Sequence, residues 1–111
     1  MTASPALVQQ LRAALGDDRV RTSGLELELY SRDASGLGGS AGVVCLPTST
    51  AQVQAVVAAG VEHGVPFVAR GSGTGLAGGA VPPEGAIVIV TTKMDRLLSV
   101  DVENRSAWVE P

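Results

Sequence analysis

The sequence predicts a fold of mixed helices and strands built on a parallel βαβ unit. Three observations predict it. "VVCLP" is a short, continuous apolar run stopped by Pro47, the signature of a buried strand. Val53, Val56, Val57 and Val61 then fall on one helical stripe that Gly64 can close. "PFVA", Pro66 to Ala69, is a second apolar run. Strand, helix and strand so close together make parallel strands with a helical crossover.

The other elements follow in chain order. Ser4-Pro5 is a helix start, an N-cap followed by proline in the first turn. Leu7, Leu11 and Leu15 recur at spacing four, and Gly16 can end that helix. A very short strand is expected near Val20. "LELELY" alternates like a strand, yet Glu and Leu are good helix formers, and a short helix is the expectation. "RDASGLGGSAG", residues 32–42, has the composition of a loop. Ser49 and Gln52 have capping-box spacing. "AIVIVTT" is a third buried run, "KMDRLL" a short turn or one helical turn, and "SVDVENRSAWVEP" a hairpin about Glu103, Asn104 and Arg105. The chain stops after a strand, so a fragment of a longer domain is expected, with self-association through uncovered apolar surface as its hazard.

Composition limits the function classes. The 111 residues suit roughly one domain, and 45% are hydrophobic but only 3% aromatic. The core must therefore be aliphatic. The single cysteine, Cys45, rules out an internal disulfide and fits a reducing, cytoplasmic setting. Peripheral contact with a membrane is left open for a full-length protein. A net charge of −3 with no basic run argues against nucleic acid. No apolar run approaches the ~20 residues of a bilayer span. A lone His63 at a helix end, with no Cys/His cluster, argues for a structural role rather than a metal site. Cys45 reads as a small buried hydrophobe, Trp108 as packing, and Asp33 as a cap or turn residue.

The informative stretch is "RGSGTGLAGGA", which carries five glycines from Gly71 to Gly79 directly after the "PFVA" strand. Glycines let backbone N–H groups approach a ligand and turn inward as an anion nest. The site after a parallel strand is where α/β proteins hold phosphates. Residues 73–78 satisfy G-x-G-x-x-G, but that motif must open a helix, and Pro82-Pro83 forbids one. The P-loop pattern fails for want of Gly-Lys-Ser or Gly-Lys-Thr. Arg70 either neutralises phosphate or pairs with a local carboxylate. A diphosphate cradle is the reading these residues support.

The same loop resembles the pyrophosphate loop of FAD-linked oxidases of the vanillyl-alcohol oxidase or p-cresol methylhydroxylase (PCMH) type. "YSRDASGLGGSAGVVCLPTSTAQVQAVVAAGVEHGVPFVARG" and "IVIVTTKMDRLLSVDVENRSAWVEP" are similar to the glycolate oxidase and D-lactate dehydrogenase branch of that family. The resemblance implies an α+β fold: the first subdomain of a PCMH-type FAD-binding domain, with opening antiparallel strands of a second subdomain. Residues 1–38 would be a helical lead-in, and residues 39–111 the N-terminal part of the FAD-binding domain. It implies non-covalent FAD, because Thr74 takes the place of a histidine that some members link to flavin. Carried over by position, the FAD contacts are Pro47, Arg70, Gly71, Ser72, Gly73, Thr74, Gly75, Leu76, Gly78, Gly79 and Met94. No catalytic or metal residue is implied in this chain. The substrate of the full-length enzyme would be a small D-2-hydroxy acid, glycolate or D-lactate, and the isolated piece would be inactive. Three alternatives stand beside this reading. One is a flavoenzyme like UDP-N-acetylenolpyruvoylglucosamine reductase, which the quoted matches disfavour. The others are a non-catalytic nucleotide- or anion-binding module and a helper protein acting by assembly.

Overall fold

A computed structural model describes residues 2–111. Helix α1 spans Pro5–Leu15, and the side chain of its N-cap Ser4 accepts from the Leu7 amide. A 3₁₀ turn, Asp17–Arg19, leads into the short strand β1, Val20–Arg21. Helix α2 is Gly24–Leu29, capped by the Ser23 hydroxyl on the Glu26 amide. Then come β2 (Ala41–Cys45), α3 (Thr50–His63), β3 (Phe67–Arg70) and β4 (Ala86–Val90). Strands β5 (Leu97–Asp101) and β6 (Ser106–Val109) form a separate antiparallel hairpin. This is the α+β architecture expected.

The four-stranded sheet has the order β1-β2-β4-β3. Strands β2, β4 and β3 run parallel, and β1 lies antiparallel on β2. The strands flanking α3 are therefore parallel as expected but not neighbours, because β4 inserts between them. Side chains alternate across the sheet. Val43, Cys45, Ile87 and Ile89 meet Leu7, Leu11 and Leu15 of α1 and Val56 and Ala59 of α3. Val44, Leu46, Val88 and Val90 meet Leu27 of α2 on the other face, with Tyr30 and Val68 at its margin. Each such buried aliphatic side chain contributes about 1.5–3 kcal/mol, so β4, buried along its whole length, is the core's axis.

Three local expectations change. Val61 is 72% exposed, and the inward face of α3 runs Val56, Ala59, Gly60 instead. Gly60 allows the helix to approach: a Cβ there would lie 2.9 Å from Phe67 Cδ1 and 3.3 Å from Ile87 Cδ1. The "PFVA" strand is an edge strand, not a buried one, and Phe67 is 42% exposed. The capping box closes one residue early. Ser49 accepts from the Gln52 amide, but Gln52 Oε1 accepts from the Thr48 amide at 2.7 Å rather than from Ser49.

Candidate functional site

The carboxyl ends of the three parallel strands share one edge of the sheet, and the glycine stretch leaves from it. Residues 71–85 connect β3 to its parallel neighbour β4. Such a connection needs about a dozen residues and is usually helical. Here it has no helix. It is tied at its root, where Thr91 donates its amide to the Arg70 carbonyl at 2.9 Å, and its hydroxyl lies 3.3 Å from the same oxygen.

Within the crossover, Gly71, Ser72, Thr74, Gly75, Leu76 and Gly79 are exposed, and Gly73 and Gly78 are half-buried. Leu76 is 78% exposed. Gly73 has φ +81, a left-handed conformation that favours glycine. Added Cβ atoms at Gly71 and Gly75 would meet nothing within 4 Å. The loop thus presents bare backbone beside open space.

Arg70, the last residue of β3, neither projects from the loop nor pairs with a carboxylate. It is 8% exposed. Its Nη1 donates to the carbonyls of Arg32 at 2.8 Å and Tyr30 at 3.3 Å, and its Nε to the Gly71 carbonyl at 3.3 Å. The guanidinium sits 5.3 Å from the Tyr30 ring centroid, within cation–π range. Nη2 lies directly beneath Gly73, where a Cβ would come within 1.7 Å of it. A guanidinium this buried, held among the described residues only by neutral groups, puts an uncompensated positive charge under the loop.

The other predicted contacts sit deeper. Pro47 is fully buried where β2 ends, and Met94 is 5% exposed after the turn from β4. Both lie behind the surface. The neighbours Leu46 and Lys93 line a cleft of about 290 Å³ with Arg21, Glu26, Tyr30 and Thr92. A larger groove, about 550 Å³, is lined by Pro5, Val8, Gln9, Arg12, Ala13 and Asp17, all from α1 and the turn after it, and takes nothing from the carboxyl ends of the parallel strands. The crossover and the smaller cleft, which share the carboxyl edge of the sheet, make the better site.

Sequence reasoning left out the wall of that site. Tyr30 and Arg32 hold Arg70 through main-chain carbonyls, which no side-chain motif announces. Asp33 does carry a signal, the Asp-x-Ser turn: its Oδ1 accepts from the Ser35 amide at 2.8 Å and from the Ser35 hydroxyl. The Ser35 hydroxyl, then its amide, hold the Asp33 carboxyl below the usual range, with the Ala80 and Gly78 amides assisting. His63 pairs with Gln10 of α1, 2.7 Å from Nε2 to Oε1. No group of three or more His, Cys, Asp or Glu poised for a metal occurs among the described residues. No helix among them is long and apolar enough to cross a membrane. Trp108, expected to pack, is 75% exposed on the hairpin.

Known proteins resemble this chain in sequence and in fold. A family described as FAD binding domain matches residues 41–111. Glycolate oxidase subunit GlcD of Bacillus subtilis is 36% identical over 104 residues, 93% of this chain and 22% of that protein. D-lactate dehydrogenase of Archaeoglobus fulgidus is 46% identical over 65 residues, 59% of this chain and 14% of that protein. Among solved structures, p-cresol methylhydroxylase with substrate bound superposes with a TM-score of 0.74 at 28% identity, covering 86% of this chain and 20% of that one. The chain thus spans about a fifth of the length of the first of these relatives.

Proposed function

This chain belongs to the FAD binding domain family, and we propose that it forms the diphosphate-holding part of a FAD-dependent oxidoreductase acting on a D-2-hydroxy acid. In this reading residues 39–111 begin the cofactor domain and residues 1–38 are a helical lead-in packed on it. The observation that carries the reading is Arg70: a buried cation without a carboxylate partner, placed beneath exposed glycine backbone. A diphosphate fits that setting in charge and in the bare backbone it needs.

The residues then divide the work. Gly71, Gly73 and Gly75 let backbone amides come close to phosphate oxygens. Ser72 and Thr74 add hydroxyl donors. Arg70 supplies positive charge from below, with Gly73 as the opening that brings Nη2 to the loop surface. Leu76 is the apolar side chain available at the loop's rim, and Gly78 and Gly79 let the chain turn back toward β4. By the family resemblance Pro47, at the end of β2, is assigned to the adenine end of the cofactor and Met94 to the approach to its flavin. FAD, when bound, would supply the two-electron acceptor that takes hydride from the α-carbon of the substrate. Thr74 stands where a covalent histidine link would need an imidazole, so the cofactor is proposed to be held without a covalent bond. Glycolate or D-lactate is the proposed substrate class, supported by what the two curated relatives are named for.

The test is a visible spectrum of the full-length protein purified without added cofactor, before and after heat release. A flavin band that leaves the protein as FAD is the expected result, and anaerobic glycolate or D-lactate should bleach it. A colourless protein that ignores added FAD would refute the reading and leave an anion-binding or packing loop. A band retained after denaturation would overturn the non-covalent assignment alone.

A further inference from the structure

The segment from Tyr30 to Ser40 runs against the glycine crossover along its whole length. Arg70 reaches the carbonyls of Tyr30 and Arg32 at the loop's start. In the middle, the Ala34 amide donates to the Gly75 carbonyl at 3.1 Å. Leu37 and Ser35 cover Gly78, where a Cβ would lie 3.1 Å from Leu37 Cδ1 and 3.9 Å from Ser35 Oγ. At the far end the Ser40 amide donates to the Pro82 carbonyl at 3.2 Å. A crossover without a helix has no ladder of its own, and this segment replaces it.

The carboxyl of Asp33 stands at the centre of the contact. Its Oδ1 holds the turn that aims Ala34, Ser35 and Leu37 at the loop. Its Oδ2 is shut off from solvent and completes no hydrogen bond among the described residues. Among the described residues Oδ2 is the buried side-chain oxygen with unused hydrogen-bonding capacity. The turn that Asp33 holds carries Ser35 and Leu37 over Gly78, and the main chain at Gly78 and Ala80 favours the charged carboxylate.

Resting on the cradle reading above, we propose that Asp33 is a positioning residue. It fixes residues 78–80, and so keeps residues 71–77 in the shape a diphosphate requires, without touching the ligand itself.

The test compares the full-length protein with Asp33→Ala and Asp33→Asn by amide hydrogen exchange, without and with FAD. Exchange is read on peptides covering 30–38 and 76–82, and on β2 and β4 as internal controls. Expected for Asp33→Ala is about tenfold faster exchange in the two loop peptides of the FAD-free protein, with β2 and β4 unchanged. The FAD dissociation constant should rise about tenfold, and Asp33→Asn, which keeps an oxygen acceptor, should restore part of both losses. Unchanged exchange in the 76–82 peptide would overturn the proposal, whether or not FAD binds. Faster exchange with an unchanged FAD affinity would reduce Asp33 to a turn residue. Were Asp33→Ala to lose its sheet protection as well, the Asp33→Asn comparison decides on the same two readouts. Failure of the unsubstituted protein to bind FAD would refute the cradle, while the FAD-free exchange still decides whether Asp33 holds the loop.

Discussion

The two crossovers between parallel strands solve one problem in opposite ways. From β2 to β3 the chain passes through α3, whose backbone groups bond to one another and whose face packs on the sheet. From β3 to β4 it passes through residues 71–85, where the main chain takes few partners and leans on residues 30–40. The helix satisfies its own donors and has none to give beyond its first turn. The glycine crossover keeps its donors available at the cost of needing an outside scaffold. In the proposed cradle those free donors are what an anion would meet, whereas a helix offers such donors only at its first turn.

That contrast can be broken most sharply at Gly73. Gly73→Ala places a side chain at φ +81 and drives it onto Arg70 Nη2. The left-handed backbone alone costs about 1–2 kcal/mol, and Arg70 must vacate its place. The FAD dissociation constant should rise about a hundredfold, roughly 2.7 kcal/mol, measured by titrating the apoprotein. Near-native affinity would show that the guanidinium need not sit beneath the loop.

Gly75→Ala sharpens the contrast. The new Cβ meets nothing within 4 Å, and φ there is not positive, so thermal stability of the FAD-free protein should stay within about 0.5 kcal/mol. FAD affinity should nonetheless fall about tenfold, because the proposed cradle gives that space to the ligand. An unchanged affinity would remove Gly75 from the contact surface. The helical crossover should give the reverse pattern. Gly64 caps α3 at φ 64, and Gly64→Ala should cost about 1 kcal/mol of stability in a denaturant titration, with FAD affinity unchanged.

The smallest effect comes from the sheet both crossovers share. Burial pushes the Cys45 thiol up to about 12, so the folded protein holds that proton more tightly than the unfolded chain, whose thiol ionises near about 8.5. Its contribution is fully present below that value and is lost as pH rises toward 12. Relative to Cys45→Ala, the unsubstituted protein should lose stability more steeply over that alkaline range. Parallel slopes would show that the thiol ionises within the fold.

Most elements are legible because their signals are local. Ser4-Pro5, the Leu7-Leu11-Leu15 spacing, Ser49 with Gln52, and the turn at Glu103 to Arg105 each lie within a few residues of what they determine. Strand order is not local. Nothing in "PFVA" tells that β4 will sit between it and β2, so an apolar run that reads as buried forms an edge. Val61 misleads for a related reason: helical spacing defines a stripe, while the partner surface decides which margin of it is covered. At the site, the glycine pattern and its place after a strand are readable. The partners of Arg70 are not, since they are main-chain carbonyls some forty residues earlier, at Tyr30 and Arg32.

The strand order β1-β2-β4-β3 also sets when the sheet can form. Neither β2 nor β3 has a parallel neighbour until Ala86–Val90 arrives, because Val43 pairs with Ile87 and Phe67 pairs with that same residue. As the chain emerges from its N-terminus, α1, β1, β2 and α3 can gather early, while β3 waits with both edges bare. Pairings of such high sequence separation slow folding and leave strand edges exposed meanwhile. The last strand of the sheet in sequence is thus the first requirement for its completion, and the glycine crossover is the tether that delivers it.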